Sequence, residues 1–205
     1  MRDISRENPT FPTPQPESRP TRVRMLQAHN VANSWDNFYR SGHGPWTADG
    51  YVPSSSLSDS AAWMNEANAS VPGGFKNILE LGCGRGSDGV LLAEQFPAAR
   101  VAAVDFSRDA VKDAEELAAE RGIDKERLRF HAYDVLELPR PPVQMDLVWD
   151  NTVYHNARRE GTNGDGLLRY RHLLRRVLPV GGYFLLVTGS TAQDSVVSNF
   201  PRVSL

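Results

Sequence analysis

The fold is decided by the stretch Asn77-Ile78-Leu79-Glu80-Leu81-Gly82-Cys83-Gly84-Arg85-Gly86. Its first half is a short apolar run, and in its second half three glycines alternate with other residues. An apolar run that ends in glycines is typical of a buried parallel strand followed by a tight turn. Residues 86–95 continue with a helix-compatible apolar pattern. Strand, glycine turn and helix in this order predict the first βα unit of a parallel sheet.

The same alternation continues along the chain. Helices are predicted over Ser58–Ala69, from the N-cap Ser107 to about Arg121, and over Leu167–Leu178. Further strands are predicted over residues 100–105, 128–133, 145–149 and 183–188. Alternating strands and helices with right-handed crossovers predict a Rossmann-like α/β fold with helices on both faces of the sheet.

Length and composition predict one globular domain. The chain has 205 residues, of which 40% are hydrophobic and 23% charged. We interpret residues 1–24, rich in proline and arginine, as a disordered tail. Residues 25–205 form the predicted domain, with a helical lid over 25–70 and a ligand-binding core over 71–190.

Charge and cysteine usage exclude several classes of function. The formal net charge is -2, so the sequence predicts no nucleic-acid partner. The single cysteine, Cys83, excludes an intramolecular disulfide, and the five scattered histidines predict no metal site. Neither a membrane span nor a signal peptide is predicted. We expect a cytoplasmic protein, with a nuclear location as the alternative.

The carboxyl ends of the strands carry candidate ligand-binding residues. Glycines in the first turn let a ligand approach the backbone closely. Asp105 ends the second strand, where a carboxylate can accept hydrogen bonds from ribose hydroxyls. Asp134 follows the third strand, where a carboxylate can accept from an adenine amino group. This arrangement predicts an adenosine-containing ligand.

A dinucleotide site is the alternative interpretation of the same glycines. The run Gly84-Arg85-Gly86-Ser87-Asp88-Gly89 matches the G-x-G-x-x-G fingerprint of nicotinamide dehydrogenases. Glu80 at the strand end suits a cationic amino-acid group better than a pyrophosphate. Asp88 would place negative charge at a helix start that is meant for phosphates. Both residues favour a ligand other than a dinucleotide.

Five segments, in order, resemble the motifs of the class I S-adenosylmethionine-dependent methyltransferases. They are Ile78–Gly86, Val104-Asp105-Phe106-Ser107, Tyr133-Asp134-Val135, Met145–Asp150 and Arg176–Tyr183. The resemblance covers about residues 77–188 and implies S-adenosylmethionine as the cofactor. It implies that Glu80 binds the methionine amino end, that Gly82 and Gly84 form the backbone face, that Asp105 binds the ribose and that Asp134 binds the adenine. Cys83, Phe106 and Val135, which adjoin these positions, complete the implied core of the cofactor site.

The N-terminal segment resembles the lid of two narrower methyltransferase groups. Ser34–Tyr39 and Pro45-Trp46 are similar to the lids of the thiopurine and thiol group and of the elongation-factor lysine group. The resemblance implies that Trp35 and Trp46 cover the cofactor. Core packing of an N-terminal helix is the alternative. We expect a small-molecule methyl acceptor, with a protein lysine as the alternative acceptor.

Residues Asp150–Asn156 follow the predicted fourth strand and would face the transferable methyl group. His155 can act as a general base near neutral pH, and a hydrogen-bonded loop histidine is the equally weighted alternative. Asp150 can bind the acceptor or orient the methionine end. We therefore take both as candidate catalytic residues.

The end of the chain departs from the family pattern. The family fold closes with a sixth and a seventh strand, but only a short segment with Pro201 follows the predicted fifth strand. The sequence therefore predicts a sheet that lacks strands six and seven, with an edge that a partner would cover. A truncated, non-catalytic cofactor-binding module is the corresponding alternative function.

Overall fold

The computed structural model describes residues 34–41, 53–151, 153–159 and 165–187. The predicted tail and Trp46 lie outside the described residues. The same holds for residues 188–205, on which the expectation about strands six and seven depends.

Five strands form one parallel sheet. They are β1 (Asn77–Leu81), β2 (Arg100–Asp105), β3 (Leu128–Ala132), β4 (Leu147–Asn151) and β5 (Tyr183–Val187). Their order is β3-β2-β1-β4-β5, and every neighbouring pair is parallel. The chain moves outward from β1 to β3 and then crosses back to β4 on the other side of β1. This reversal places a switch point between the carboxyl ends of β1 and β4.

Seven helices and one 3-10 turn accompany these strands in the described residues. They are α1 (residues 34–41), α2 (Ser55–Asp59), α3 (Ala61–Ser70), α4 (Ser87–Gln95), α5 (Arg108–Glu120), α6 (Val153–Arg159), α7 (Asp165–Val177) and the 3-10 turn Val135–Glu137. No helix among the described residues has the length and apolar character needed to cross a membrane.

Alternating strand residues build two cores, one on each face of the sheet. Ile78 and Val101 pack with α3, α4 and α5, whereas Leu79 and Ala102 pack with α7 and the 3-10 turn. Such strands are buried on both faces, so they appear in the sequence as continuous apolar runs. The predicted Rossmann-like α/β fold is confirmed.

Three element predictions were wrong in detail. β4 begins at Leu147 rather than at residue 145 and ends at Asn151. The carboxylate of Asp146, just before β4, accepts the N–H groups of Lys76 and Asn77 at the start of β1. Helix α6, which follows β4, was not predicted. The helix predicted over Ser58–Ala69 is divided between α2 and α3.

Candidate active site

The candidate site lies where the carboxyl ends of β1 and β4 separate. The glycine turn follows β1, and α6 begins two residues after β4. In open α/β sheets, ligands bind in the crevice at such a switch point. The predicted site residues on β1, β2 and β4 therefore meet at one edge of the sheet.

The glycine turn is packed so closely at Gly82 and Gly84 that a side chain would not fit at either position. Gly82 has φ +73°, and a Cβ atom there would lie 2.5 Å from Val153 Cγ2. Gly84 has φ +51°, and its Cβ would lie 2.9 Å from the hydroxyl oxygen of Tyr39. The turn thus touches α6 on one side and α1 on the other.

Asp105 ends β2 beside this turn. Its Oδ2 accepts the N–H of Gly84 at 2.8 Å, and its Oδ1 accepts the N–H of Ser107 at 2.9 Å. Burial raises the pKa of this carboxyl group, and these backbone hydrogen bonds oppose the rise. The backbone N–H of Phe106 also donates to this carboxylate. A carboxylate offers about four acceptor positions, so roughly one remains for a ligand hydroxyl. Ser107 also caps α5 as predicted, since its Oγ accepts the N–H of Ala110 at 3.1 Å.

Glu80 is a buried acid with an unsatisfied oxygen. Its side chain is 2% exposed, and Oε2 has no hydrogen-bond partner. Oε2 lies against Gly89, where a Cβ would approach it to 2.6 Å. Burial raises the pKa of Glu80 well above its usual value, and the nearby carboxylates of Asp88 and Asp105 raise it further. A cationic ligand group beside Glu80 would favour its ionised form and would give its carboxylate a partner.

Asp88 points away from the start of α4. Its Oδ1 accepts the N–H of Ser54 at 2.6 Å, and its Oδ2 accepts the hydroxyl of Ser54 at 2.7 Å and Nε1 of Trp149 at 3.2 Å. The carboxylate therefore joins α2 to β4. The side chain of Asp88 thus follows the alternative in which it points away from the helix start, and it carries no evidence against a dinucleotide.

The predicted adenine end lies after β3. Asp134 Oδ1 accepts the N–H of Leu136 at 2.9 Å, so the side chain caps the 3-10 turn. Arg169 Nη2 lies 3.5 Å from Asp134 Oδ2. Val135 is buried, and Phe106 beside Asp105 is half-buried. These residues share the carboxyl edge of the sheet with Asp105.

Helix α1 lies over the glycine turn through Tyr39. Tyr39 is buried, and its pKa is raised by burial and then by the charge of Asp105. Asp36 accepts a 2.5 Å hydrogen bond from Ser107 Oγ, and Arg40 pairs with Asp109 at 2.6 Å. Trp35 packs its ring against Phe38 and Tyr39 within α1 itself. Thus Tyr39, rather than Trp35, makes the described contact with the site.

Asp150 is fully buried and holds the start of α6. Its Oδ1 accepts the N–H of Val153 at 2.8 Å, and its Oδ2 accepts the N–H of Tyr154 at 3.1 Å and the hydroxyl of Tyr170. Burial raises the pKa of Asp150 to about 6, although these hydrogen bonds lower it. All these contacts run to the protein, so Asp150 positions α6.

His155 lies on α6 rather than in a loop, and its side chain is half-buried. Its Nε2 is buried and has no hydrogen-bond partner, and its ring packs edge-on against Tyr154 at 6.2 Å. The alternative of a loop histidine is therefore wrong. The catalytic role of His155 stays a prediction.

Cys83 and the remaining acids form no nucleophile or metal site. Burial raises the pKa of Cys83 well above its usual value, so its thiol is protonated and poorly nucleophilic. Among the described residues, no group of three His, Cys, Asp or Glu side chains could hold a metal ion.

Two site residues were missed from the sequence. Tyr39 ends the motif Trp35–Tyr39, but only the tryptophan was assigned to the cofactor. Tyr170 lies three and seven residues before the buried Leu173 and Val177, so helical periodicity could have placed it on the inner face of α7.

The chain matches known methyltransferases. A family model described as "Methyltransferase domain" matches residues 75–201, more than half of the chain. Ribosomal RNA large subunit methyltransferase G of Shewanella amazonensis is 36% identical over 90 residues, which cover 43% of this chain and 24% of the relative. Its counterpart in Shewanella sp. MR-4 is 35% identical over 85 residues, covering 42% and 22%. The chain therefore matches less than a quarter of the length of these relatives.

Solved structures show the same fold at low sequence identity. Magnesium protoporphyrin IX methyltransferase from Synechocystis PCC 6803 with bound S-adenosylmethionine aligns with a TM-score of 0.56 and 20% identity over 78% of this chain and 74% of that chain. A second structure comes from work on the conversion of a disulfide bond into a thioacetal group during echinomycin biosynthesis. It aligns with a TM-score of 0.55 and 23% identity, covering 76% of this chain and 59% of that chain.

These comparisons correct one prediction and leave another open. The expectation of no nucleic-acid partner was wrong, because the curated relatives are ribosomal RNA methyltransferases. The prediction relied on the net charge of -2, which is a sum over the whole chain and does not show where cations lie. The resemblance to the thiopurine and lysine groups is not confirmed and stays a prediction.

Proposed function

Because the chain belongs to the methyltransferase domain family, whose cofactor is S-adenosylmethionine, we propose that it methylates an RNA acceptor. The RNA class comes from the curated relatives, which act on large-subunit ribosomal RNA. The observation that carries the cofactor assignment to particular residues is the arrangement of Glu80, Gly84 and Asp105 at one edge of the sheet.

The residues present fit the cofactor. Glu80 Oε2 is buried without a partner, and a cationic ammonium group would compensate its charge. Asp105 is held by three backbone N–H groups and retains roughly one acceptor position for a ribose hydroxyl. Gly84 has no side chain, and its backbone N–H donates to Asp105.

When bound, S-adenosylmethionine supplies an electrophilic methyl group on a sulfonium sulfur. The chain contributes mainly orientation and exclusion of water. Asp150 positions α6 through two backbone hydrogen bonds and is thus a positioning residue. His155 Nε2 would accept the proton that an amino or hydroxyl acceptor loses.

A small-molecule acceptor is the second candidate function. It is favoured by helix α1, whose Tyr39 places its hydroxyl oxygen 2.9 Å from the position of a Cβ at Gly84 and so lies over the glycine turn. An enclosed site suits a small acceptor, or a nucleotide that is turned out of its RNA stack. A protein lysine is the third acceptor to test.

The test is methyl transfer by the full chain from S-adenosylmethionine labelled in its methyl group. Acceptors are deproteinised bacterial large-subunit ribosomal RNA, a bacterial protein extract freed of RNA, and a panel of small thiols and amines. The proposal expects label in material that ribonuclease destroys. Label that survives ribonuclease and follows protein or small molecules would replace the RNA acceptor by one of the alternatives.

His155→Gln is the matched variant for this assay. It should bind S-adenosylhomocysteine as the wild type does but transfer methyl groups roughly 100-fold more slowly, because general base catalysis contributes about that factor or more. A transfer rate equal to the wild type would remove His155 from the reaction.

A further inference from the structure

Helix α7 separates its positive charges between two faces. Tyr170, Leu173 and Val177 are buried against the sheet. Arg169 is half-buried and pairs with Glu137 Oε1 at 2.6 Å. On the outer face, Arg171, His172 and Arg175 are exposed, and Arg171 and Arg175 have no ion pair among the described residues. We call these three residues the α7 basic face.

Folding alone does not account for the α7 basic face. Arg171 and Arg175 are four residues apart on one helix, where like charges repel. Arg175 lies in the last turn of α7, where a cation interacts favourably with the helix dipole. Arg171 lies in the middle of the helix and gains nothing from the dipole. Among the other exposed arginines, Arg40 and Arg121 each pair with a carboxylate, whereas Arg108 and Arg158 have no ion pair among the described residues.

The helix that carries this face also frames the candidate site. The hydroxyl of Tyr170 donates to Asp150, and Arg169 approaches Asp134. A polyanion lying along α7 would thus end beside the site. Arg171 and Arg175 are separated by about 6 Å along the helix axis, a distance that neighbouring phosphate groups can span.

We propose that the α7 basic face binds phosphate groups of the RNA acceptor and holds the RNA beside the methyl-transfer site. The inference rests on the proposed RNA acceptor. Charge complementarity favours a polyphosphate, because the face presents two arginines and a histidine, and the large hydrophobic side chains exposed on α7 are only those of Leu167 and Leu168. Phosphate contacts of this kind supply affinity and position without reading sequence.

The experiment measures binding of a fluorescent in vitro transcript of large-subunit ribosomal RNA to the full chain at several salt concentrations. The test variant is Arg171→Gln with Arg175→Gln. The control is Arg108→Gln with Lys112→Gln, an exposed pair with the same spacing and the same loss of charge on α5. Helix α5 packs on the opposite face of the sheet.

The α7 variant should lower the slope of log affinity against log salt by about 1.4 to 1.8, because each phosphate contact contributes about 0.7 to 0.9. Its affinity at a fixed moderate salt concentration should fall roughly tenfold. The α5 control should match the wild type. Binding of S-adenosylhomocysteine should be equal in all three, and Arg171→Gln alone should give about half the change in slope.

The outcomes separate the two proposals. Wild-type protein that binds no RNA would overturn both the RNA acceptor and the α7 basic face. Wild-type protein that binds RNA, with an α7 variant that keeps the wild-type slope, would overturn the face alone. Equal losses in the α7 and α5 variants would also overturn it, since overall charge would then explain the effect.

Discussion

Glu80 is the residue whose chemistry depends most on the ligand. It is buried beside Asp88 and Asp105, and Oε2 has no partner. In the folded chain without ligand, its raised pKa favours the neutral acid. An arriving ammonium group would favour the ionised form, so this position is better suited to binding than to stability.

Glu80→Gln should therefore stabilise the free chain and weaken ligand binding. The unfolded carboxyl group ionises above about pH 4.3, whereas the folded one keeps its proton to higher pH, so its contribution to the free energy of unfolding falls as pH rises. The difference in free energy of unfolding between the variant and the wild type should grow in favour of the variant by up to about 1.4 kcal/mol per pH unit between about pH 5 and pH 7. Urea unfolding at both pH values measures this.

Glu115→Gln, at an exposed position on α5, is the control and should show no such gain. Parallel pH profiles for Glu80→Gln and the wild type would mean that Glu80 is ionised throughout. The affinity for S-adenosylhomocysteine should fall in Glu80→Gln although its fold is more stable.

Individual site residues could be predicted where they lie at strand ends. Glu80 lies near the end of one apolar run and Asp105 ends another, so the predicted parallel strands place both residues near the carboxyl edge of the sheet. Asp150 was placed correctly near the switch point, but its contact with Tyr170 could not be predicted, because Tyr170 is 20 residues away in the sequence. Contacts between distant segments leave no local pattern.

The glycine turn and α6 form one packed unit. A Cβ at Gly82 would meet Val153 Cγ2, and Val153 begins α6. Asp150 holds the same end of α6. Displacement of Val153 would therefore be transmitted to the helix that carries His155.

Gly82→Ala should lower the free energy of unfolding by about 2 to 4 kcal/mol, from a left-handed backbone and an overpacked contact. Gly122→Ala is the matched control, because Gly122 also has a positive φ, +68°, but nothing within 4 Å of its Cβ position. It should cost only about 1 to 2 kcal/mol. If urea unfolding gives the same loss of free energy of unfolding for Gly82→Ala and Gly122→Ala, the side chain of Val153 moves aside without an energetic penalty.

Tyr170→Phe tests the hydrogen bond that supports α6. Asp150 has a pKa of about 6, raised by burial, so its contribution to stability is full below about pH 3.9 and is lost as pH rises through about 6. Without the Tyr170 hydroxyl the pKa of Asp150 should rise further, so the loss extends to higher pH. The variant should lose about 1.5 to 3 kcal/mol above about pH 6 and less below about pH 4.

Tyr133→Phe is the control, because its hydroxyl has no hydrogen bond among the described contacts and its removal should leave stability within about 0.5 kcal/mol of the wild type. A Tyr170→Phe deficit that is the same at both pH values would indicate that packing, rather than the bond to Asp150, explains it.

The fold of the molecule was predictable because its strands are buried on both faces. Continuous apolar runs such as β1 and β2 are separated by amphipathic helices such as α5, and this alternation defines the parallel sheet. Helix α6 was not predictable, since its seven residues are too few for a clear period. The expectation of no nucleic-acid partner was wrong, and it rested on the net charge of -2, which is a sum over the whole chain and says nothing about local clusters of cations.

Calorimetric titration with S-adenosylhomocysteine tests most directly whether the β1 turn and Asp105 hold S-adenosylmethionine. The titration uses wild type, Asp105→Ala and the exposed-carboxylate control Glu115→Ala, each shown to be folded by thermal unfolding. Wild type and Glu115→Ala should bind equally, and Asp105→Ala at least roughly tenfold more weakly, since hydrogen bonds to a charged group contribute about 1.5 to 3 kcal/mol. Folded Asp105→Ala protein that binds as tightly as the wild type would contradict the assignment of Asp105 to the cofactor site.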